Sequence, residues 1–280
     1  MATTATGTVV SPPPLVQTRK RKKPGLKWKY TVASIVLGVG LIALWELLPR
    51  IGVVSPIILP PFTEVMGALF RLLQSPIFWP NFAVSMIEIS LGFVLGTLIG
   101  LASGIALALW PPVKEVTYPY VVAFQAIPKI VFAPLFIAWF GYGISSKVVM
   151  AVTIAFFPVL LNTMVGLLSV PPDSLKLMKS LRANKWQTFR RVSLPFAAPL
   201  ISAGVKTALT FAVIGAIVGE FVGAREGLGF LLNSYNFQMR IDSVFAVIVV
   251  LAAVGAALYF LVDWLDKKII FWEDRSLDAP

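Results

Sequence analysis

A chain of 280 residues with 58% hydrophobic and only 13% charged side chains, at a mean hydropathy of +0.84, is not a soluble globular domain, where about a quarter of residues carry charge. Without cysteine there are no disulfides or thiolate metal sites, and without histidine the commonest metal ligand and general base is missing. The net charge of +11 would suggest nucleic acid in a soluble protein; here the charges sit between apolar runs and obey membrane topology, so the expected partner is a bilayer and not a nucleic acid.

Residues 1–29 are polar, Pro-rich and basic, with the run Arg19-Lys20-Arg21-Lys22-Lys23, and read as a disordered cytoplasmic arm. The apolar run that follows is too long for a signal-peptide core and lacks a small-residue cleavage site, so it reads as a retained first span. A hydrocarbon layer about 30 Å thick takes about 20 apolar residues as helix. Six segments meet that length: residues 30–48, 82–110, 118–140, 148–168, 197–222 and 244–265. The spacing therefore predicts an all-α membrane protein of six transmembrane helices, because a spanning segment without alternating short strands must be helical. With the N-terminus inside, seventeen Lys and Arg fall on cytoplasmic segments and five outside, namely Arg50, Arg71, Lys147, Arg225 and Arg240. That bias places both termini, including a tail over residues 266–280, in the cytoplasm.

Gly92, Gly96, Gly100 and Gly104 recur every four residues in the second span and form a stripe along which another backbone can approach; Gly215, Gly219 and Gly223 repeat it in the fifth. Static packing is the simpler reading of both stripes, and a sliding surface is the alternative. Charges inside spans are costly and mark candidate functional sites. Glu88 lies in the second span, Lys129 just after Pro128 in the third, and Lys206 and Glu220 in the fifth. Lys206 is close enough to the cytoplasmic surface to snorkel, and Lys129 follows a proline that frees a backbone carbonyl and predicts a kink. Glu220 precedes GAREGLG; it can pair with Arg225 or cap backbone amides, against which stands a gating or pathway role.

Residues 171–199, PPDSLKLMKSLRANKWQTFRRVSLPFAAP, carry six basic side chains and one acid, Asp173. Leu175, Leu177, Met178, Leu181 and Trp186 recur at helical spacing, predicting one short amphipathic cytoplasmic helix capped by Asp173 or Ser174, with Pro195 and Pro199 opening the next element. No GxxxxGK[ST] phosphate loop occurs, since GYGISSK has the wrong spacing, and GxSxG and HExxH are absent. The chain is expected to be non-enzymatic and unable to hydrolyse ATP. A secondary transporter would show broken helices about a midplane ion site or an inverted repeat, and neither is evident.

Within this segment Lys176-Leu177-Met178, Arg182 and Val192-Ser193-Leu194-Pro195 fall at the spacing of a signature that reads EAA, three residues, G, nine residues, I-x-LP. The Leu-Pro ending is present, while the Glu-Ala-Ala letters and the glycine are replaced. FQAIPKIVFAPLFIAWFGYGISSK (124–147), FFPVLLNTMVGL (156–167) and GEFVGAREGLGFLL (219–232) add three ordered matches. On these residues the chain resembles the inner-membrane permease subunit of binding-protein-dependent ABC importers, in the nitrate, sulfonate and taurine branch. The resemblance implies a type I importer permease fold, with a permease core over residues 64–265. It implies that the 171–199 helix is a coupling helix, which contacts a cytoplasmic ATPase through Leu177, Leu181, Arg182, Ala183, Asn184, Lys185 and Trp186. ATP and Mg would be held on that ATPase, present in two copies beside a second and identical permease. A soluble or lipid-anchored binding protein would deliver solute to outer loops at residues 55–80 and 222–243. Candidate pathway residues are Gln125, Asn162, Glu88 and Glu220. Many members carry Arg at the Glu88 position, and this departure leans toward branches that move heterocyclic precursors such as pyrimidines. An amino-acid or metal-chelate permease, a secondary transporter and a membrane scaffold are the alternatives.

Overall fold

The structure, a computed structural model, describes residues 24–270 and contains no β-strand among them. The chain order begins with α1 (Pro24–Arg50), α2 (Phe62–Gln74), α3 (Phe78–Leu109) and α4 (Pro111–Ala126). A 3-10 turn (Lys129–Phe132), α5 (Ala133–Phe140) and α6 (Ile144–Leu168) follow. Next come α7 (Pro172–Ser180), α8 (Lys185–Thr188), a π turn (Phe189–Ser193), α9 (Leu194–Gly223), α10 (Leu228–Phe237) and α11 (Ile241–Ile269). Five helical stretches are long and apolar enough to cross a membrane, and the bent pair formed by α4 and residues 129–140 makes a sixth. The expected disorder over residues 1–29 lies outside the described residues up to 23, whereas 24–29 belong to α1. Most of the expected tail, residues 271–280, is likewise outside them, and 266–269 are the last turn of α11.

Three long helices, α3, α6 and α9, make the tight centre of the bundle. The reason is legible at single positions. A Cβ on Gly92 would lie 2.3 Å from Ala151 Cβ, on Gly100 2.8 Å from Val159 Cβ, and on Gly104 2.7 Å from Thr163 Cβ. Gly96 meets Ala155 in the same way, so the α3 stripe is seated turn by turn on α6. From the other side, a Cβ on Gly215 of α9 would lie 2.7 Å from Ala151 Cα. Backbones this close gain dispersion contacts that larger side chains would hold apart.

The third span departs from expectation. It is not one helix: α4 stops at Ile127, and the chain turns through 86° before α5. Pro128 has no amide to donate and biases Ile127 out of the helical region. Lys129 then supplies with its ammonium what the broken ladder lost, donating to the Gln125 carbonyl at 2.7 Å, while it sits 4.9 Å from the Phe157 ring centre. Two further helices, α2 and α10, occupy stretches read from the sequence as outer loops. The first is strongly amphipathic, and together they close a small core with the start of α11, built from Ala68, Leu72, Phe78, Leu228, Leu231, Val247 and Val250. This core lies at the end of the bundle opposite to residues 171–193. The first helix, α1, leans on it through Trp45 against Phe62 and Phe245 and through Glu46 to the Thr63 amide at 3.0 Å.

Candidate functional site

Two places concentrate polar groups: a buried cluster beneath α10 and the exposed basic segment at the other end. The cluster is built around the start of α10, whose first amides have no partner within the helix. Asn81 and Ser85 on α3 and Glu220 near the end of α9 provide acceptors. Gly227 N–H donates to Asn81 Oδ1 at 2.6 Å, Leu228 N–H to Ser85 Oγ at 2.7 Å, and Gly229 N–H to Glu220 Oε2 at 2.6 Å. Ser85 Oγ–H in turn donates to Glu220 Oε1 at 2.5 Å. All three side chains are buried. Glycine is required on both sides of Leu228 for stated reasons. Gly227 has φ +115°, and a Cβ there would lie 2.4 Å from the Glu220 carboxylate; a Cβ on Gly229 would lie 2.8 Å from Glu220 Cβ. Glu220 thus caps backbone amides, one of the two structural roles open to it from the sequence; the pairing with Arg225 is not made.

Lys147 completes this end. The sequence places it in an outer loop, but it is in the first turn of α6 and only 1% exposed. Its ammonium donates to the carbonyls of Tyr142 (2.6 Å), Gly143 (3.2 Å) and Gly223 (2.8 Å), so it caps the C-terminus of α9 with a cation. Glu88 faces both Glu220 and Lys147, and its Oε2 is buried with no other hydrogen-bond partner. A polar cavity of about 300 Å³ lies beside them, lined by Glu88, Tyr142, Lys147, Arg225 and Glu226. Asn81, Ser85 and Lys147 were not singled out from the sequence. The helix-start chemistry of GLG is the signal that asks for acceptors, but which residues answer is a tertiary fact.

The other candidate pathway residues are elsewhere. Gln125 is exposed at the bend after α4, and Asn162 sits in the seam between α6 and α9, donating to Pro158 O at 2.8 Å beside Gly204. Fifteen residues of α6 separate Asn162 from Lys147, about 22 Å at 1.5 Å per residue, so Gln125, Asn162 and Glu220 occupy three separate places in this chain. Lys206 does not snorkel. It bridges Asp263 at 2.6 Å and Asp266 at 2.8 Å, and with the Ser202–Asp266 hydrogen bond it ties α9 to α11.

At the basic end the expected single helix is two. The first, α7, closes in a Schellman motif: Ala183 N–H reaches Met178 O and Arg182 N–H reaches Lys179 O, both at 3.0 Å. The residue in the left-handed position of this motif is Arg182, at φ +56°, where a glycine is the usual choice. The next helix starts at once on a capping box, with Gln187 N–H to Asn184 Oδ1 at 2.7 Å and Asn184 N–H to Gln187 Oε1 at 2.9 Å. Neither Asp173 nor Ser174 caps α7; Pro171 occupies that position. Pro195 is the second residue of α9, as the sequence predicts, while Pro199 lies inside it; the helix is nonetheless continuous with α8 through the π turn. The short connection between two caps is stiff, and it holds Leu177 (60%), Leu181 (67%) and Trp186 (65%) exposed, with Trp186 stacked on Phe189.

The comparisons with known proteins agree with this geometry. Residues 92–271 match the family described as the binding-protein-dependent transport system inner membrane component. A probable ABC transporter permease protein of Haemophilus influenzae is 37% identical over 85% of this chain and 96% of its own length. The riboflavin transport system permease protein RibX of Chloroflexus aurantiacus is 33% identical over 92% and 96%. Among solved structures, a chain of the inward-facing MetNI methionine ABC transporter superposes with a TM-score of 0.59 at 21% identity, covering 70% of this chain and 97% of that one, which speaks to fold alone. The chain belongs to the binding-protein-dependent ABC importer permeases, as their non-catalytic, multi-pass inner-membrane subunit, which works with a separate ATPase and a solute-binding protein.

Proposed function

We propose that residues 171–193 lie in the cytoplasm and are the surface through which this permease couples to its ATPase. The observation that carries this reading is the turn between the two caps. Leu177, Leu181 and Trp186 stand exposed on a stiff scaffold, ringed by Arg182 and Lys185, with Ala183 and Asn184 forming the connection. Protein interfaces are dominated by a few apolar and Arg anchors set in pockets, and these residues supply both. ATP and Mg bind on the ATPase, and two ATPases serve two copies of this chain. Both termini are cytoplasmic, in line with the excess of basic residues on that side. The end that carries α2 and α10 then faces the solute-binding protein.

The cargo is a small organic or inorganic solute of the nitrate, sulfonate or taurine kind. A second reading, a pyrimidine-like heterocycle, is favoured by one observation: Glu88, buried beside Glu220, stands where many members of the family carry Arg. The riboflavin relative points the same way. Glu88, Glu220, Gln125 and Asn162 are proposed to act on the pathway or its gating when two copies are assembled.

Leu181→Asp tests the coupling surface. The variant should insert and pack as the native chain does, yet fail to retain the ATPase in a mild-detergent pull-down. Full ATPase recovery with Leu181→Asp would remove the assignment. The two cargo readings separate in vesicle uptake, by whether a sulfonate or a pyrimidine competes.

A further inference from the structure

A groove of about 560 Å³ opens between α3, α9 and α11 at the basic end of the bundle. Its walls are almost wholly apolar, with Ala198, Ile201 and Val205 on α9, Val262 and Ile269 on α11, and Phe93 on α3; the one acid that lines it, Asp266, is held by Lys206 and Ser202. Along α9 the lining runs from Leu194 to Val205, about 16 Å at 1.5 Å per residue, close to half of a hydrocarbon layer about 30 Å thick. The groove therefore spans one leaflet, from the surface to mid-membrane. Its mouth is basic. Arg190 and Arg191 precede Leu194 by about one turn on one side, both exposed and without an ion pair among the described residues. On the other side Lys267 is paired with Asp263 at 2.6 Å, while Lys268 rests 3.8 Å from the ring centre of Trp264, an exposed aromatic of the kind found at membrane surfaces.

We infer that this groove holds one anionic phospholipid of the leaflet on the basic side, with an acyl chain along α9 and its phosphate at Arg190, Arg191 and Lys268. Length, polarity and charge each select that occupant. A leaflet-deep apolar wall suits a single acyl chain. A free anion could not use it, and a zwitterionic lipid would not use the basic mouth. Basic pockets between helices on this side of a membrane hold anionic headgroups, and each basic side chain near the surface contributes about fivefold to the preference. The bound lipid bridges α9, which is continuous with the coupling segment, to α11 beside the Lys206–Asp266 link. The assignment does not depend on the coupling reading, since the groove is defined without the ATPase.

The test uses the full permease–ATPase assembly released from membranes containing phosphatidylglycerol and phosphatidylcholine. Native mass spectrometry should find phosphatidylglycerol retained in preference. Ala198→Trp, which fills the groove, should abolish retention. Arg190→Gln with Arg191→Gln and Lys268→Gln, which leaves the walls intact, should lower the preference by about fivefold for each charge removed. Because the chain has no cysteine, a benzophenone carried by Ile201→Cys reports what covers the groove, and it should crosslink to phospholipid. Equal retention of both lipids, retention unchanged in both sets of variants, or capture of a second copy at position 201 would overturn the inference.

Discussion

Gly227→Ala is the sharpest test of the cluster beneath α10, because one methyl group incurs two separable costs. The first is conformational. At φ +115° and ψ 166° the backbone occupies a region that is nearly glycine-only, and a side chain there costs about 1–3 kcal/mol. The second is steric and then electrostatic. The new Cβ would lie 2.4 Å from Glu220 Oε2, so the carboxylate must move. Moving it loosens the Gly229 bond at 2.6 Å and the Ser85 bond at 2.5 Å, both to a carboxylate oxygen, and each such bond contributes about 1.5–3 kcal/mol. Losing one of them puts the sum at about 2.5–6 kcal/mol. Thermal unfolding of the detergent-solubilised assembly should show a clear fall in midpoint. Gly255→Ala, in α11 with nothing within 4 Å of the added methyl, should leave it level or slightly raised. A Gly227→Ala protein that unfolds with the native one would refute the claim that Glu220 is committed to capping α10.

Two other predictions address the basic end. Arg182→Gly should stabilise the turn between α7 and α8 by about 0.5–1 kcal/mol, since the left-handed position is relieved of its side chain; if Arg182 contacts the ATPase, the same variant should weaken ATPase retention, so the two measurements move in opposite directions. Deleting Val192 should convert the π turn, where Leu194 N–H donates to Phe189 O, into ordinary helix with Trp186 still on nearly the same bearing, because five residues of π turn and four of α-helix cover almost the same rotation. Pull-down of the ATPase should then persist with little change in the thermal midpoint of the membrane bundle, and loss of the ATPase would show that the π turn itself, beyond the direction of Trp186, serves the coupling.

Six spans and the glycine stripe of α3 were legible because both depend on composition and period alone. Other features were not. The break in the third span is announced by Pro128, yet the apolar run 118–140 is long enough to cross a membrane, and length alone cannot weigh one proline against it. Val65, Ala68 and Leu72 have helical spacing, but α2 becomes a helix worth forming only where α10 and α11 offer a core for that face. Lys147 was counted among outer charges because a cation beside a glycine-rich turn looks solvated; three carbonyls converge on it only after α5, α6 and α9 have packed. The two-helix form of residues 171–193 was hidden by Arg182, which occupies a helix-stop position without the residue that signals one. Glu220 was better placed, since GLG following an acid already raised capping of amides.

These local facts combine on one element. Helix continues from Lys185 through the π turn to Gly223, 39 residues and about 58 Å, so Trp186 at one end and the cap on α10 at the other belong to a single rod. The rod is gripped at three levels. Glu220 and Lys147 fix its far end to α10 and to the loop before α6, Gly204 and Gly215 seat its middle on α6, and Lys206 joins it to Asp263 and Asp266 of α11. A force applied at Trp186 has few places to dissipate in such a body. The widened hydrogen-bond pattern at Phe189–Ser193 is the one irregular stretch between the exposed turn and the clamped rod, and π turns recur where helices must re-aim side chains without breaking. Movement of the basic segment that leaves this turn intact must therefore carry α9 with it, and with α9 the hold of Glu220 on Gly229 and Ser85 at the opposite face.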